Sequence, residues 1–178
     1  MILKDTSNRI VADFTGFISA VHYDTLENHC AGLKIVDILA ENDSALFFIE
    51  IKNYINTSDL NIVQTAMDQR QKTDYLMLTD PIAALPLEMG MKFKDSLFRC
   101  LAAGDDFKKP IIFLLLINSP PELKARDRER LISKIRGYIP TDMHTKSNKY
   151  PRMQTVFFDM PIITEVYDRY GFRISVQR

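Results

Sequence analysis

Two runs of apolar residues, 33–39 and 45–54, flank a short polar break at residues 40–44. Both runs are rich in β-branched and aromatic residues, and the break is turn chemistry, so the pattern predicts two strands of an antiparallel hairpin. Downstream, Ser58 caps a predicted helix over 58–78 with an apolar stripe of Leu60, Val63 and Met67. Breaks follow at Pro81 and Pro86, then a helix over 87–103 that ends at Gly104. On that helix Lys92, Asp95 and Arg99 share one side, which reads as a solvated polar face. Residues 111–117 are apolar without alternation, as expected of a strand covered on both faces. A helix opening at Ser119-Pro120-Pro121 should run to Arg136 and stop at Gly137, followed by a polar loop over 141–152. A strand over 154–159, a short helix over 162–170 closed by Gly171, and a strand over 172–176 complete the chain. Residues 1–32 are ambiguous: 13–21 suits a strand, or a helix weakened by Gly16. Antiparallel strands followed by alternating helix and strand predict an α/β fold, a mixed β-sheet flanked by helices, in a single domain of residues 1–178.

Three charges interrupt the hairpin's apolar strands: Asp37, Glu50 and Lys52. A charge in such a setting must be solvated, paired or bound to a metal. Side chains alternate along a strand, so Glu50 and Lys52 share a face at a spacing of about 7 Å. A turn of two or four residues sets position 37 opposite 48 or 50, and either register brings Asp37 to that same face. Two carboxylates and an ammonium therefore converge. Leu46 and Phe48 lie on their face while Ile49 and Ile51 fill the other, which favours a strand covered on both sides. The competing reading is a wet hairpin face carrying an exposed ion pair worth little.

Asp37, twelve intervening residues, then Glu50-Ile51-Lys52 in an apolar strand resembles the signature of the PD-(D/E)XK nuclease superfamily, the restriction-endonuclease-like fold. The resemblance rests on residues 33–54, and Val36 stands where the motif's name has proline. It implies that Asp37 and Glu50, with the backbone carbonyl of Ile51, hold a divalent metal, magnesium or manganese. It implies that Lys52 orients or activates the attacking water or stabilises charge on the phosphate. An acid upstream of the first ligand is often present in the superfamily, which makes Glu27 a further metal candidate with Asp24 behind it; a plain surface carboxylate is the alternative. Gln71 and Tyr75 are similar to a Gln-x-x-x-Tyr pattern of the RecB-like branch. The implied partner is DNA, and the implied activity is phosphodiester hydrolysis, with endo- and exonucleolytic action both open.

Composition narrows the alternatives. The 178 residues are 46% apolar and 26% charged, ordinary for a globular domain. The sequence shows no signal-peptide pattern and no run of transmembrane length, so a cytoplasmic protein without a membrane partner is expected, with a homodimer left open. Cys30 and Cys100 lack metal-ligand spacing and read as free thiols, and His22 and His29 read as structural. There is no phosphate-cradling glycine loop, no Gly-x-Ser-x-Gly elbow and no zinc motif to compete with the carboxylate pair. Net charge is zero but uneven: residues 1–60 hold nine acids and four bases, whereas 122–152 hold nine bases and four acids. A carboxylate-rich site repels phosphate, so the attraction must come from elsewhere. Lys146, Lys149 and Arg152 in the loop are the candidate nucleic-acid contacts, because the bases of the preceding helix surround it and are diluted by Asp127 and Glu129. Two function classes remain: a metal-dependent nuclease, or a catalytically inactive protein of the same fold that binds nucleic acid or serves assembly. An unrelated α/β protein with an accidental Glu-x-Lys is a third.

Overall fold

The apolar run that predicted a covered strand forms the interior strand β6 (Ile111–Asn118). The computed structural model describes residues 1–4, 10–25, 33–53, 81–105, 107–118, 125–139 and 156–176. The helix predicted over 58–78 with Gln71 and Tyr75, the loop with Lys146, Lys149 and Arg152, and Glu27, His29 and Cys30 lie outside the described residues. In chain order the strands are β1 (Ile2–Lys4), β2 (Ile10–Asp13), β3 (Ser19–His22), β4 (Ile38–Glu41), β5 (Leu46–Asn53), β6, β7 (Val156–Asp159) and β8 (Arg173–Val176). The helices are α1 (Pro81–Ala103), α2 (Ala125–Arg136) and α3 (Val166–Tyr170), the last preceded by a 3₁₀ turn at Ile163–Glu165.

Five strands form one mixed sheet in the order β3-β4-β5-β6-β7. β3, β4 and β5 are antiparallel neighbours, while β6 runs parallel to both β5 and β7. Because side chains alternate, β5 and β6 feed two cores at once. On one face Phe48, Phe113 and Leu115 pack under α1 and α2 through Leu85, Met89, Phe93, Leu131 and Ile135. On the other, Phe47, Ile49, Leu114 and Leu116 meet Phe14, Val166 and Phe172. That second core is closed by a separate sheet, β1-β2-β8, whose strands pair antiparallel. Rings of Phe14 and Phe172 stack there at 4.7 Å.

Several boundaries differ from the expected ones, each for a physical reason. β4 starts at Ile38, not at residue 33, because donors of the preceding segment bond to α1 instead of a strand: Lys34 N to Asp95 Oδ2 (2.8 Å) and Val36 N to Ser96 Oγ (2.9 Å). Ala40 and Glu41 belong to β4, and the turn is confined to Asn42–Ala45. Its Asn42 Oδ1 accepts bonds from Ser44 N, Ser44 Oγ and Ala45 N, each 2.9 Å. α1 begins at Pro81, where a break was expected, since the first turn of a helix needs no N–H from proline. Pro86 lies inside the helix and removes one of its hydrogen bonds. Burial of Leu85, Met89 and Phe93 against the sheet holds the helix across that gap. The end at Gly104 is as predicted: φ is +91°, and bonds from Gly104 N to Leu101 O and Asp105 N to Cys100 O make a Schellman cap. The ambiguity over 13–21 resolves into strands on both sides of a turn at Gly16, φ +92°. The strand at the C-terminal end joins β2 in the small sheet rather than extending the large one.

Gly90 marks where α1 meets the turn after α2. A Cβ there would fall 2.7 Å from Tyr138 Cβ and 3.3 Å from its carbonyl oxygen. Gly→Ala inside a helix ordinarily gains about 1 kcal/mol, but overpacking at a fixed contact costs about 1–3 kcal/mol. Gly90→Ala is therefore expected to lower stability in chemical denaturation, and Tyr138→Gly in the same chain should restore most of the loss.

Candidate functional site

The observed register pairs Ile38 with Ile49, so Asp37, one step before β4, comes opposite Glu50. This is the four-residue-turn register of the two predicted. Asp37 is fixed from three directions. Its carbonyl accepts Tyr23 N (2.8 Å), its Oδ2 accepts Ile51 N (2.7 Å), and the segment before it is tied to Asp95 and Ser96. Arg99 completes the frame by donating to Tyr23 O (2.7 Å) with its guanidinium over the Tyr23 ring.

Asp37, Glu50 and Lys52 converge as expected, at the carboxyl end of β5 on the face covered by α1. Lys52 Nζ lies 2.9 Å from Glu50 Oε1 and 2.8 Å from Glu88 Oε1. Lys92 Nζ lies 2.6 Å from the Glu50 carboxylate and 3.5 Å from Asp37 Oδ1. The charges thus alternate along a line: Asp37, Lys92, Glu50, Lys52, Glu88. Glu50 and Lys52 are two apart on a strand, and Glu88 and Lys92 are four apart on a helix. Each pair shares a face of its own element.

Glu50 is fully buried. Burial, reinforced by the Asp37 charge, pushes its carboxyl up to about 7, against the pull of Lys52 and Lys92. Burial works against the Lys52 ammonium, but Glu50 and Glu88 overcome it and hold that ammonium above the ordinary lysine range. Asp24 is raised as well, by burial first and then by Asp37, with Lys92 opposing. Of the two upstream acids considered, Asp24 is the described one whose charge is felt at the site. Glu27 lies outside the described residues.

Two carboxylate oxygens at the centre, Glu50 Oε1 and Glu88 Oε2, are buried without a hydrogen bond. Ion contact with Lys52 and Lys92 serves the first. Among the described residues no three His, Cys, Asp or Glu side chains stand close enough to cage a metal by themselves. Magnesium asks for less: one or two carboxylates, with waters and substrate oxygens completing the shell. Asp37 and Glu50 meet that requirement. The side chain already between them is a cation, so the donor set fits a positive ion.

Glu88 and Lys92 were not identified from the sequence as part of the site, and the polar side of α1 is not solvated as expected. Lys92, Asp95 and Arg99 all turn toward one end of the sheet and make the contacts above. A signal was present: charges at 88, 92, 95 and 99 recur at helical spacing roughly a quarter-turn from the apolar stripe of 85, 89, 93 and 100. A row bordering the buried stripe, rather than opposing it, meets whatever the core strand presents. The opposite side of α1 instead exposes Leu87, Met91, Phe98 and Leu101. Two arginines of α2 have structural partners, Arg128 donating to Met160 O and Arg136 to Phe158 O (3.5 Å). His22 lies in β3, and Cys100 is a buried free thiol against Tyr23 OH (3.1 Å).

Fold and site together define a mixed α/β protein with a buried carboxylate–ammonium centre at one end of its main sheet. Compared with protein-family models, curated proteins and solved structures, the chain has no match in any of the three. No helix among the described residues is long and apolar enough to cross a membrane.

Proposed function

We propose that this chain is a magnesium- or manganese-dependent nuclease that hydrolyses phosphodiester bonds of DNA on a restriction-endonuclease-like fold. The observation that carries the reading is the convergence of Asp37, Glu50 and Lys52 on one face, with Glu50 fully buried between two ammonium groups at 2.9 and 2.6 Å. The hairpin that brings them together is followed by helix and parallel strand, the order the superfamily resemblance requires.

Asp37 and Glu50, with the Ile51 carbonyl, would hold the divalent cation. When bound, it supplies polarisation of a phosphoryl oxygen and acidification of a water. Lys52 carries a protonated amine with no lone pair for a metal, so its work falls on the water or on the charge that develops at phosphate. Glu88 keeps Lys52 oriented through its 2.8 Å contact. Lys146, Lys149 and Arg152 supply backbone attraction in this reading.

The second reading, an inactive protein of the same fold, is favoured by one observation: Lys92 already satisfies the carboxylates that a cation needs. Calorimetry with manganese separates the two. The nuclease reading expects binding that Asp37→Ala abolishes, together with cleavage of linear, supercoiled or branched DNA that Asp37→Ala stops. Absence of both binding and cleavage in the unsubstituted protein would leave the inactive reading.

A further inference from the structure

We propose that Lys92 is a built-in counter-ion that positions Asp37 and Glu50 for the divalent cation and must be displaced when the cation enters. The inference rests on the metal-site reading above. It starts from a conflict of space and charge. Lys92 Nζ stands 2.6 Å from Glu50 and 3.5 Å from Asp37, so the same two carboxylates that would hold the metal already share one ammonium. A protonated amine has no lone pair to give and cannot join the metal's shell. Two cations cannot use those oxygens together, so one replaces the other.

The placement also explains how the site exists before a cation arrives. Two carboxylates facing each other across a hairpin, one of them fully buried, repel each other and resist ionisation. The ammonium offsets that repulsion and keeps both oxygens aimed at one point. α1 is well suited to deliver it, because Asp95 and Ser96 pin the same helix to the backbone just before Asp37, and Arg99 pins it to Tyr23, whose N–H donates to the Asp37 carbonyl. Lys92 itself is tethered by a flexible four-carbon stem, and its side chain is 15% exposed, so it has a way out that does not require α1 to move. Lys52 differs: Glu50 and Glu88 hold it from two sides, and it stays where the chemistry needs it.

The test is calorimetric titration of manganese into the unsubstituted protein, Lys92→Met and Lys92→Arg. Removing the competitor should tighten binding in Lys92→Met by roughly ten- to a hundredfold, the equivalent of one charge-assisted hydrogen bond. Lys92→Arg, which keeps a cation in place, should not tighten it. The melting temperature of cation-free Lys92→Met should fall, and saturating manganese should raise it by more than it raises that of the unsubstituted protein. A structural role alone would lower stability without raising affinity. Reductive methylation read by mass spectrometry gives an answer that needs no variant: Lys92 should be protected without manganese and modified with it. If the unsubstituted protein binds manganese but Lys92→Met binds no tighter, or Lys92 stays protected, the inference is overturned and the metal reading stands. Binding in neither protein overturns both. Binding only in Lys92→Met overturns the inference as well, because Lys92 would then block the cation instead of yielding to it.

Discussion

Glu50→Gln should make the cation-free protein more stable at pH 8 by roughly 3 kcal/mol while eliminating cation binding and cleavage. Glu50 is fully buried, and its carboxyl is pushed from the ordinary 4.5 up to about 7. A pKa raised in the folded state means that the folded protein holds the proton more tightly than the unfolded chain. Folding is therefore most favoured, as far as Glu50 is concerned, below pH 4.5. That contribution is lost as pH rises through about 7, and above it the loss is constant. At about 1.4 kcal/mol for each pH unit, the interval amounts to roughly 3 kcal/mol. Glutamine resembles the protonated form at every pH, so the variant should match the unsubstituted protein in acid and exceed it in weak alkali. Denaturant titrations of both proteins from pH 4 to pH 8 measure the difference. Equal stability at pH 8 would mean that Glu50 carries no burial penalty there. The same charge makes cation binding compete with a proton, so manganese affinity should climb with pH up to about 7 and then level off.

Lys52→Met should reduce cleavage by about a hundredfold to a thousandfold, the range for loss of one group that stabilises developing charge. The same substitution should also lower stability. Lys52 is the shared partner of Glu50 and Glu88, and its loss leaves half-buried Glu88 without its ammonium and buried Glu50 with Lys92 alone. Breaking a buried pair by removing one member costs on the order of 3–5 kcal/mol. Glu88→Gln in the same chain removes the unpaired charge and should return most of the stability. It should return none of the turnover, because nothing replaces the amine. The pairing holds Lys52 above its ordinary pKa, so its stabilising contribution is complete below pH 10.5 and is lost only in stronger alkali. Recovery of turnover in the double variant would remove Lys52 from the chemistry and leave it a structural role.

Much of the centre is legible in the sequence because it depends on rules of period two. Once residues 45–54 are a strand, Glu50 and Lys52 must share a face, and the turn at Asn42–Ala45 leaves Asp37 opposite Glu50. The covered strand β6 was legible for a similar reason, eight residues with no polar position before Asn118. What could not be read depends on tertiary contacts. Residues 33–36 are as apolar as a strand, yet their donors go to Asp95 and Ser96 on α1. Lys92 reads as part of a solvated face, and Glu88 draws no notice, because nothing local states which strand a helix will cross. The three-stranded sheet was missed because its strands span only three or four residues, too short to show alternation, and its partners lie at opposite ends of the chain. Pro86 misled for the opposite reason: its local cost is real, and burial of the helix's apolar stripe outweighs it.

The most direct test of the nuclease reading is single-turnover cleavage of supercoiled DNA in manganese, comparing the unsubstituted protein with Lys52→Met/Glu88→Gln at matched folded fraction and matched manganese occupancy. The account predicts nicked or linear product from the first and a rate at least about a hundredfold lower from the second. Equal rates in the two proteins, or no cleavage by the unsubstituted protein with its cation bound, would contradict it.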